Sequence, residues 1–193
     1  MRLRRSFARA ALGLASLLAA CASAPTRFHT LDPVAPAAAP AQRSLATPVR
    51  LDSVIVPPEL DRPQIVRRAG PGRLDMAESD RWAGALDELA RGTLAADLAL
   101  RLPAGATVRQ DDPAPPHSLR RLDVVIERFE GTTTAGPVTL LAHWTLLGEG
   151  SDRALVRRDE RIEVPADGDL DGTVTAMSTA LGLLADRIAG GLS

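Results

Sequence analysis

Lysine and tyrosine are absent from this 193-residue chain, cysteine occurs once, and the aromatic side chains amount to three Phe and two Trp. Each shortage excludes something. The lone Cys21 cannot close an internal disulfide, and an exposed thiol in an oxidising compartment is a liability. With so few rings, the core must be built from Leu, Val, Ile and Ala, and surfaces that stack on nucleobases or sugars are poorly supplied. The uncharged run Ala10–Ala20 falls well short of the ~20 apolar residues that a membrane-spanning helix requires. Basic charge comes from arginine alone, and four of the 23 basic residues (Arg2, Arg4, Arg5, Arg9) lie ahead of Cys21. Setting those four aside leaves 19 arginines against 24 acidic side chains, a net of about −5. A mildly acidic chain is a poor match for nucleic acid.

What is present begins with an address. Four arginines, no acid and a short apolar stretch form the pattern of a secretory signal peptide, so residues 1–20 stand outside the fold. The run ends Leu18-Ala19-Ala20-Cys21, which resembles the lipobox of bacterial lipoproteins. The resemblance implies that the Cys21 thiol is alkylated by a diacylglycerol donor. Cleavage before it then frees the Cys21 amine for a further acyl chain. Two or three chains give durable anchoring where one is marginal. Ala22, standing where Asp would favour retention in the inner membrane, points to the outer membrane.

Residues 22–48 are rich in Ala and Pro and read as extended chain, interrupted by Arg27-Phe28-His29-Thr30-Leu31, a candidate short strand. Residues 21–26 are then the lipidated cysteine and its tether, about 15–20 Å long when extended, and 27–193 a single domain. Val49–Val56 is β-branched and stopped by Pro57-Pro58, as a strand should be. Gln64–Arg68 and Arg73–Met76 flank Ala69-Gly70-Pro71-Gly72 and predict a hairpin. A helix is expected from Ser79 as N-cap, with Asp80 in its first turn, through Trp82, Leu86, Leu89, Thr93, Leu94, Leu98 and Leu102 to Pro103. A brief strand is expected at Ala106–Arg109 and a loop at Asp111–His117. Alternation at Leu122–Glu127 and Val138–Leu147, then a more charged Ala154–Val164 suited to an edge, predicts an antiparallel meander. Val174, Met177, Leu181, Leu184 and Ile188 mark a last amphipathic helix, capped by Asp169 and stopped by Gly190-Gly191. The expected fold is an α/β layered sandwich, a mixed and mostly antiparallel sheet with two long helices.

No constellation for catalysis stands out. His29, His117 and His143 are scattered without metal-ligand spacing. No serine sits in a GxSxG context. Gly70-Pro71-Gly72 lacks the end of a phosphate loop. Asp111-Asp112 and Asp159-Glu160 read as adjacent solvated charges. No cofactor, metal or catalytic residue is expected.

One segment is more specific: Val56-Pro57-Pro58-Glu59-Leu60-Asp61-Arg62-Pro63-Gln64-Ile65-Val66-Arg67-Arg68, followed by Asp80-Arg81-Trp82-Ala83. Together with Phe28-His29-Thr30-Leu31 it resembles the ABC-type transport auxiliary lipoprotein family, which includes the paraquat-inducible protein C-like lipoproteins. The resemblance covers about residues 27–190. It departs at Phe28-His29, where members often carry two tyrosines. Pro63 fixes its own φ and holds Arg62 extended, and Asp61 and Arg62 can tie the turn by charge-assisted bonds. Leu60, Asp61, Arg62, Pro63, Gln64, Arg81 and Trp82 thus read first as a structural turn that orients the hairpin. A direct partner contact is the competing reading.

The resemblance implies a non-catalytic envelope subunit facing the periplasm. Its partners would be the membrane through the lipid anchor, a mammalian-cell-entry (MCE) type periplasmic protein, and ABC or permease components. It would dock such machinery at the outer membrane for lipid movement between membranes, and a homo-oligomer is compatible with that role. The alternative is an anchored carrier or chaperone that itself binds lipid in an apolar groove. Cys21→Ala is expected to abolish acylation, leaving an uncleaved precursor or a mislocalised product. Metabolic labelling with palmitate and membrane fractionation check this, and normal maturation of the variant contradicts the lipoprotein reading.

Overall fold

Alternating and helically spaced apolar residues each find their element in the computed structural model, which describes residues 25–36, 45, 47–113 and 117–192. The leader, Cys21 and part of the Ala/Pro-rich stretch lie outside the described residues, as do three residues of the loop at 111–117.

In chain order the elements are β1 (Arg27–His29), β2 (Val49–Ile55), β3 (Gln64–Gly70), β4 (Arg73–Trp82), α1 (Leu86–Arg101), β5 (Thr107–Val108), β6 (Arg120–Glu130), β7 (Gly136–Leu147), β8 (Ala154–Ala166) and α2 (Leu170–Gly191). They form two mixed sheets. The larger has the order β5-β2-β6-β7-β8 and the smaller β1-β4-β3. The long ladders β6–β7 and β7–β8 are antiparallel, as the meander pattern predicts. β2, in contrast, lies parallel to both β5 and β6, and β1 lies parallel to β4. A parallel neighbour needs a crossover; between β2 and β6 the chain spends it on the β3–β4 hairpin and α1. The two sheets are joined where Arg68 N–H donates to Gly131 O at 2.8 Å and Thr133 N–H to Arg68 O at 3.1 Å.

The core lies between the larger sheet and the two helices. Val138, Leu140, Ala142, Trp144 and Leu146 point inward from β7, and Leu122, Val124 and Ile126 from β6. The intervening residues Leu141, His143, Thr145 and Leu147 are half-buried on the outer face. β8 is the edge strand expected, with Arg157, Arg158 and Asp159 exposed along it, the charge pattern that discourages edge-to-edge pairing. The core-facing row of α2 is buried at Val174, Met177, Leu181, Leu184 and Ile188. Its N-terminus is closed by Asp169, whose carboxylate accepts from Gly172 N–H at 2.6 Å.

Two boundaries differ from the expectation. Ser79 and Asp80 do not open a helix. β4 continues through Trp82, and α1 begins at Leu86 with Ala85 as an N-cap that makes no side-chain bond. Cross-strand partners on both sides of β4 outweigh the local capping signature. At the other end, Gly190 and Gly191 lie inside the last turn of α2, and Leu192 is the C-cap. The glycine at 191 serves packing instead: a Cβ there would sit 2.7 Å from the Trp144 ring, whereas one at Gly190 would meet nothing within 4 Å.

The two glycines should therefore respond in opposite directions. Gly190→Ala is expected to be neutral or to add up to about 1 kcal/mol through helix propensity. Gly191→Ala is expected to cost about 1–3 kcal/mol by overpacking the indole. Thermal and urea denaturation of the two variants decide it.

Candidate functional site

The three segments singled out in the sequence come together in the small sheet. Leu60, buried, pins a turn in which Leu60 N–H and Asp61 N–H both donate to Pro57 O, at 2.9 and 3.2 Å. The chain then turns into β3. Pro63 cannot donate, but its carbonyl accepts from Trp82 N–H at 2.7 Å, and the next residue, Gln64, pairs with Arg81. On the other side of β4, Arg27, Phe28 and His29 pair with Asp80, Arg81 and Trp82. The Leu60–Val66 run, the Arg81-Trp82 pair and the β1 island are therefore one physical unit.

That unit has two faces. Paired residues in neighbouring strands project to the same side of a sheet. Phe28, Arg81 and Gln64 form a row across β1, β4 and β3 on the outer side. Phe28 is 68% exposed, Arg81 is exposed and Gln64 half-buried. Asp61 and Pro63 extend this surface, both exposed. Leu60, Ile65, Val66 and Trp82 are buried and hold the unit to the core. Arg62 does not tie the turn to Asp61: its guanidinium donates to Met76 Sδ at 3.0 Å. The motif is thus divided between a structural half and a displayed half.

Behind the row lies a charge cluster built on Asp80, a residue that the sequence pattern places in the first turn of a helix and the structure places in β4. Asp80, buried, accepts from Arg27 Nε at 2.7 Å and from His29 Nε2 at 2.8 Å. His29 Nδ1 lies 3.7 Å from Asp171 at the start of α2. Burial works against the Asp80 carboxylate, but the hydrogen bonds and charges of Arg27 and His29 together outweigh it and hold its pKa below the usual carboxylate value.

A second cluster lies in the crease between the helices. After β1 the chain runs as a strap, Leu31–Val34, between α1 and α2. Thr93 Oγ1 donates to Leu31 O at 3.0 Å, and Asp32 N–H donates to Ser178 Oγ at 3.2 Å. Val34 N–H donates to Asp97 Oδ1 at 2.8 Å. Arg101 donates to Val34 O and to Asp97 Oδ1, at 3.0 and 3.1 Å, and through Nε to Asp186 at 2.7 Å. Asp97 is fully buried, which pushes its pKa upward against the opposing pull of Val34 N–H and Arg101. The sequence pattern did not single out Asp97 and Arg101; their i, i+4 spacing among Leu94, Leu98 and Leu102 is the signal that could have found them.

His117 is exposed, and His143 Nδ1 lies 3.4 Å from Glu127 on the outer face of the larger sheet. Among the described residues no group of three His, Cys, Asp or Glu could hold a metal ion, and no helix is long and apolar enough to cross a membrane. Cys21 lies outside them.

The fold is a layered α/β sandwich that takes its own N-terminal strand and strap into the body. The chain belongs to the family of ABC-type transport auxiliary lipoprotein components, which it matches over residues 29–189. Membership makes it a lipoprotein component of ABC-type transport at the cell envelope. The fold recurs in the crystal structure of an uncharacterised protein, 20% identical, with a TM-score of 0.69 over 88% of this chain and 100% of that one. It recurs again in a Xanthomonas campestris protein of family DUF330, 18% identical, with a TM-score of 0.69 over 86% and 94%. The first of these is covered in full, so the same fold makes up the whole of that crystallised chain. No curated protein matches the sequence.

Asp80→Asn is expected to cost about 2 kcal/mol at pH 7 by removing the charge that Arg27 and His29 face. A depressed carboxylate pKa contributes stability that is present above the unfolded value and lost as pH falls through the folded one. The gap between wild type and variant should therefore narrow as the solution is made acid enough to protonate Asp80. Urea unfolding at pH 7 and at successively lower pH measures it.

Proposed function

We propose that this chain is a non-catalytic subunit held by acyl chains on Cys21 to the periplasmic face of the outer membrane. There it docks an ABC/MCE-type transport machine that moves lipid between the two membranes. Family membership supports the transport role. The observation that carries the docking role is the displayed row Phe28–Arg81–Gln64, with Asp61 and Pro63 beside it. Aromatic residues, phenylalanine among them, and arginine are both enriched in protein interfaces relative to the rest of the surface. Phe28 of this row lies on β1, a few residues after the proposed lipidation site, so a partner bound there is held close to the membrane. Leader at 1–20, tether at 21–26 and one domain at 27–193 is the organisation this reading requires.

The experiment is a pull-down of residues 22–193 against an MCE-type periplasmic protein from the same envelope. Arg81→Glu is expected to weaken retention by about tenfold or more with an unchanged melting temperature. Trp82→Ala is expected to lower the melting temperature itself. Folded wild-type protein that retains no partner counts against the proposal, and so does an Arg81→Glu variant that binds as well as wild type. Outer-membrane residence is checked by separating the two membranes on a density gradient.

A further inference from the structure

Helix α1 covers β2 with Leu94 and Leu98, but on the flank toward β5 it presents Gly92, Ala95 and Ala99. These side chains are too short to reach the sheet. A Cβ built on Gly92 would meet nothing within 4 Å. The facing wall is β5, only two residues long, and Arg109 to Asp111 after it. A trough of about 690 Å³ is left between them, floored by Val49, Leu51, Leu98 and Leu102. That volume is within the ~300–1,000 Å³ of small-molecule sites.

The lining says what kind of occupant fits. The floor is methyl and methylene groups. A peptide laid on it would bury N–H and C=O groups with nothing to bond, a cost that an alkyl chain does not incur. The rim is charged. Arg109 is held in a bidentate pair by Asp111, at 2.9 and 2.7 Å. Arg91, on the opposite wall, donates to the neutral amide of Gln110, which leaves a guanidinium at the rim whose partner carries no charge.

We propose that this trough binds one acyl chain, with its anionic head against Arg91. A fatty acid and a lysophospholipid share that chemistry. The proposal does not depend on the anchor or on docking, because it concerns a face formed by α1, β2 and β5, away from the Phe28–Arg81–Gln64 row.

The test uses residues 22–193 and the fluorescent fatty acid cis-parinaric acid as probe, displaced by saturated fatty acids of eight to sixteen carbons and by palmitoyl-lysophosphatidylglycerol. Saturable binding near one per chain is expected. Competition should strengthen by about fourfold per added methylene and then level off once the trough is full. The lysophospholipid arm separates the two sources: competition by it as well as by palmitate means that either head is accepted, and competition by palmitate alone assigns the site to free fatty acid. Ala95→Leu/Ala99→Leu fills the trough at exposed helical positions and should abolish binding with the melting temperature retained. Arg91→Gln should reduce the preference for acid over methyl ester by about tenfold. Unsaturable binding, competition that does not depend on chain length, or undiminished binding by the double variant overturns the site. An unchanged acid preference in Arg91→Gln overturns the role given to that arginine.

Discussion

The buried pair Asp97–Arg101 turns what would be an N-terminal extension into part of the fold. Neither side chain has more than a few per cent of its surface exposed, and taking two charges out of water is expensive unless every other bond is good. Here the strap supplies two of those bonds, Val34 offering its N–H to the aspartate and its carbonyl to the arginine, and Asp186 accepts from the arginine's Nε. Asp97 Oδ2 still lacks a partner, in keeping with the upward push on its pKa. Close approach of the strap also depends on Gly182, where a Cβ would lie 3.0 Å from Val34 Cβ and 3.3 Å from the Arg101 guanidinium. With the strap seated, β1 lies along the edge of β4 and pairs with Asp80–Trp82, while β3 holds β4 from the other side.

That dependence explains what could and could not be read from the sequence. Strands with one buried face announce themselves by alternation, so β6, β7 and β8 were legible, as was α2 from its spacing and its Asp169 cap. The start of α1 was misplaced because Ser79-Asp80 before an apolar residue imitates a helix N-terminus. The strand won because β1 and β3 bond β4 from both sides, and β1 is set by contacts some fifty residues distant in the chain. Parallel pairing of β2 with β5 and β6 left no local mark. For the candidate site, Leu60-Asp61-Arg62-Pro63-Gln64 was visible as a unit with Arg81-Trp82. Its division into an anchored and a displayed half was not, because that follows from which face of a twisted sheet each residue occupies.

The absence of lysine has a structural counterpart in how buried acids are neutralised. Glu130, 2% exposed, receives Arg68 and Arg128 at 2.8 and 2.9 Å. Arg101 serves two carboxylates and two backbone carbonyls at once. A planar guanidinium with five donors can divide itself in this way, whereas an ammonium offers three donors from one point. The Arg68–Glu130 bond also falls at the seam between the two sheets, where Arg68 exchanges backbone bonds with the segment after β6.

The order of β1 and the strap along the chain has a mechanical meaning. Anything fastened upstream of Arg27 pulls first on β1, where three backbone pairs and the Arg27–Asp80 bridge resist. Should β1 peel away, the force arrives at Leu31–Val34, seated between two helices and fastened from both. The two latches act in series, so a tug strong enough to free the strand still leaves the body of the protein leashed by its core.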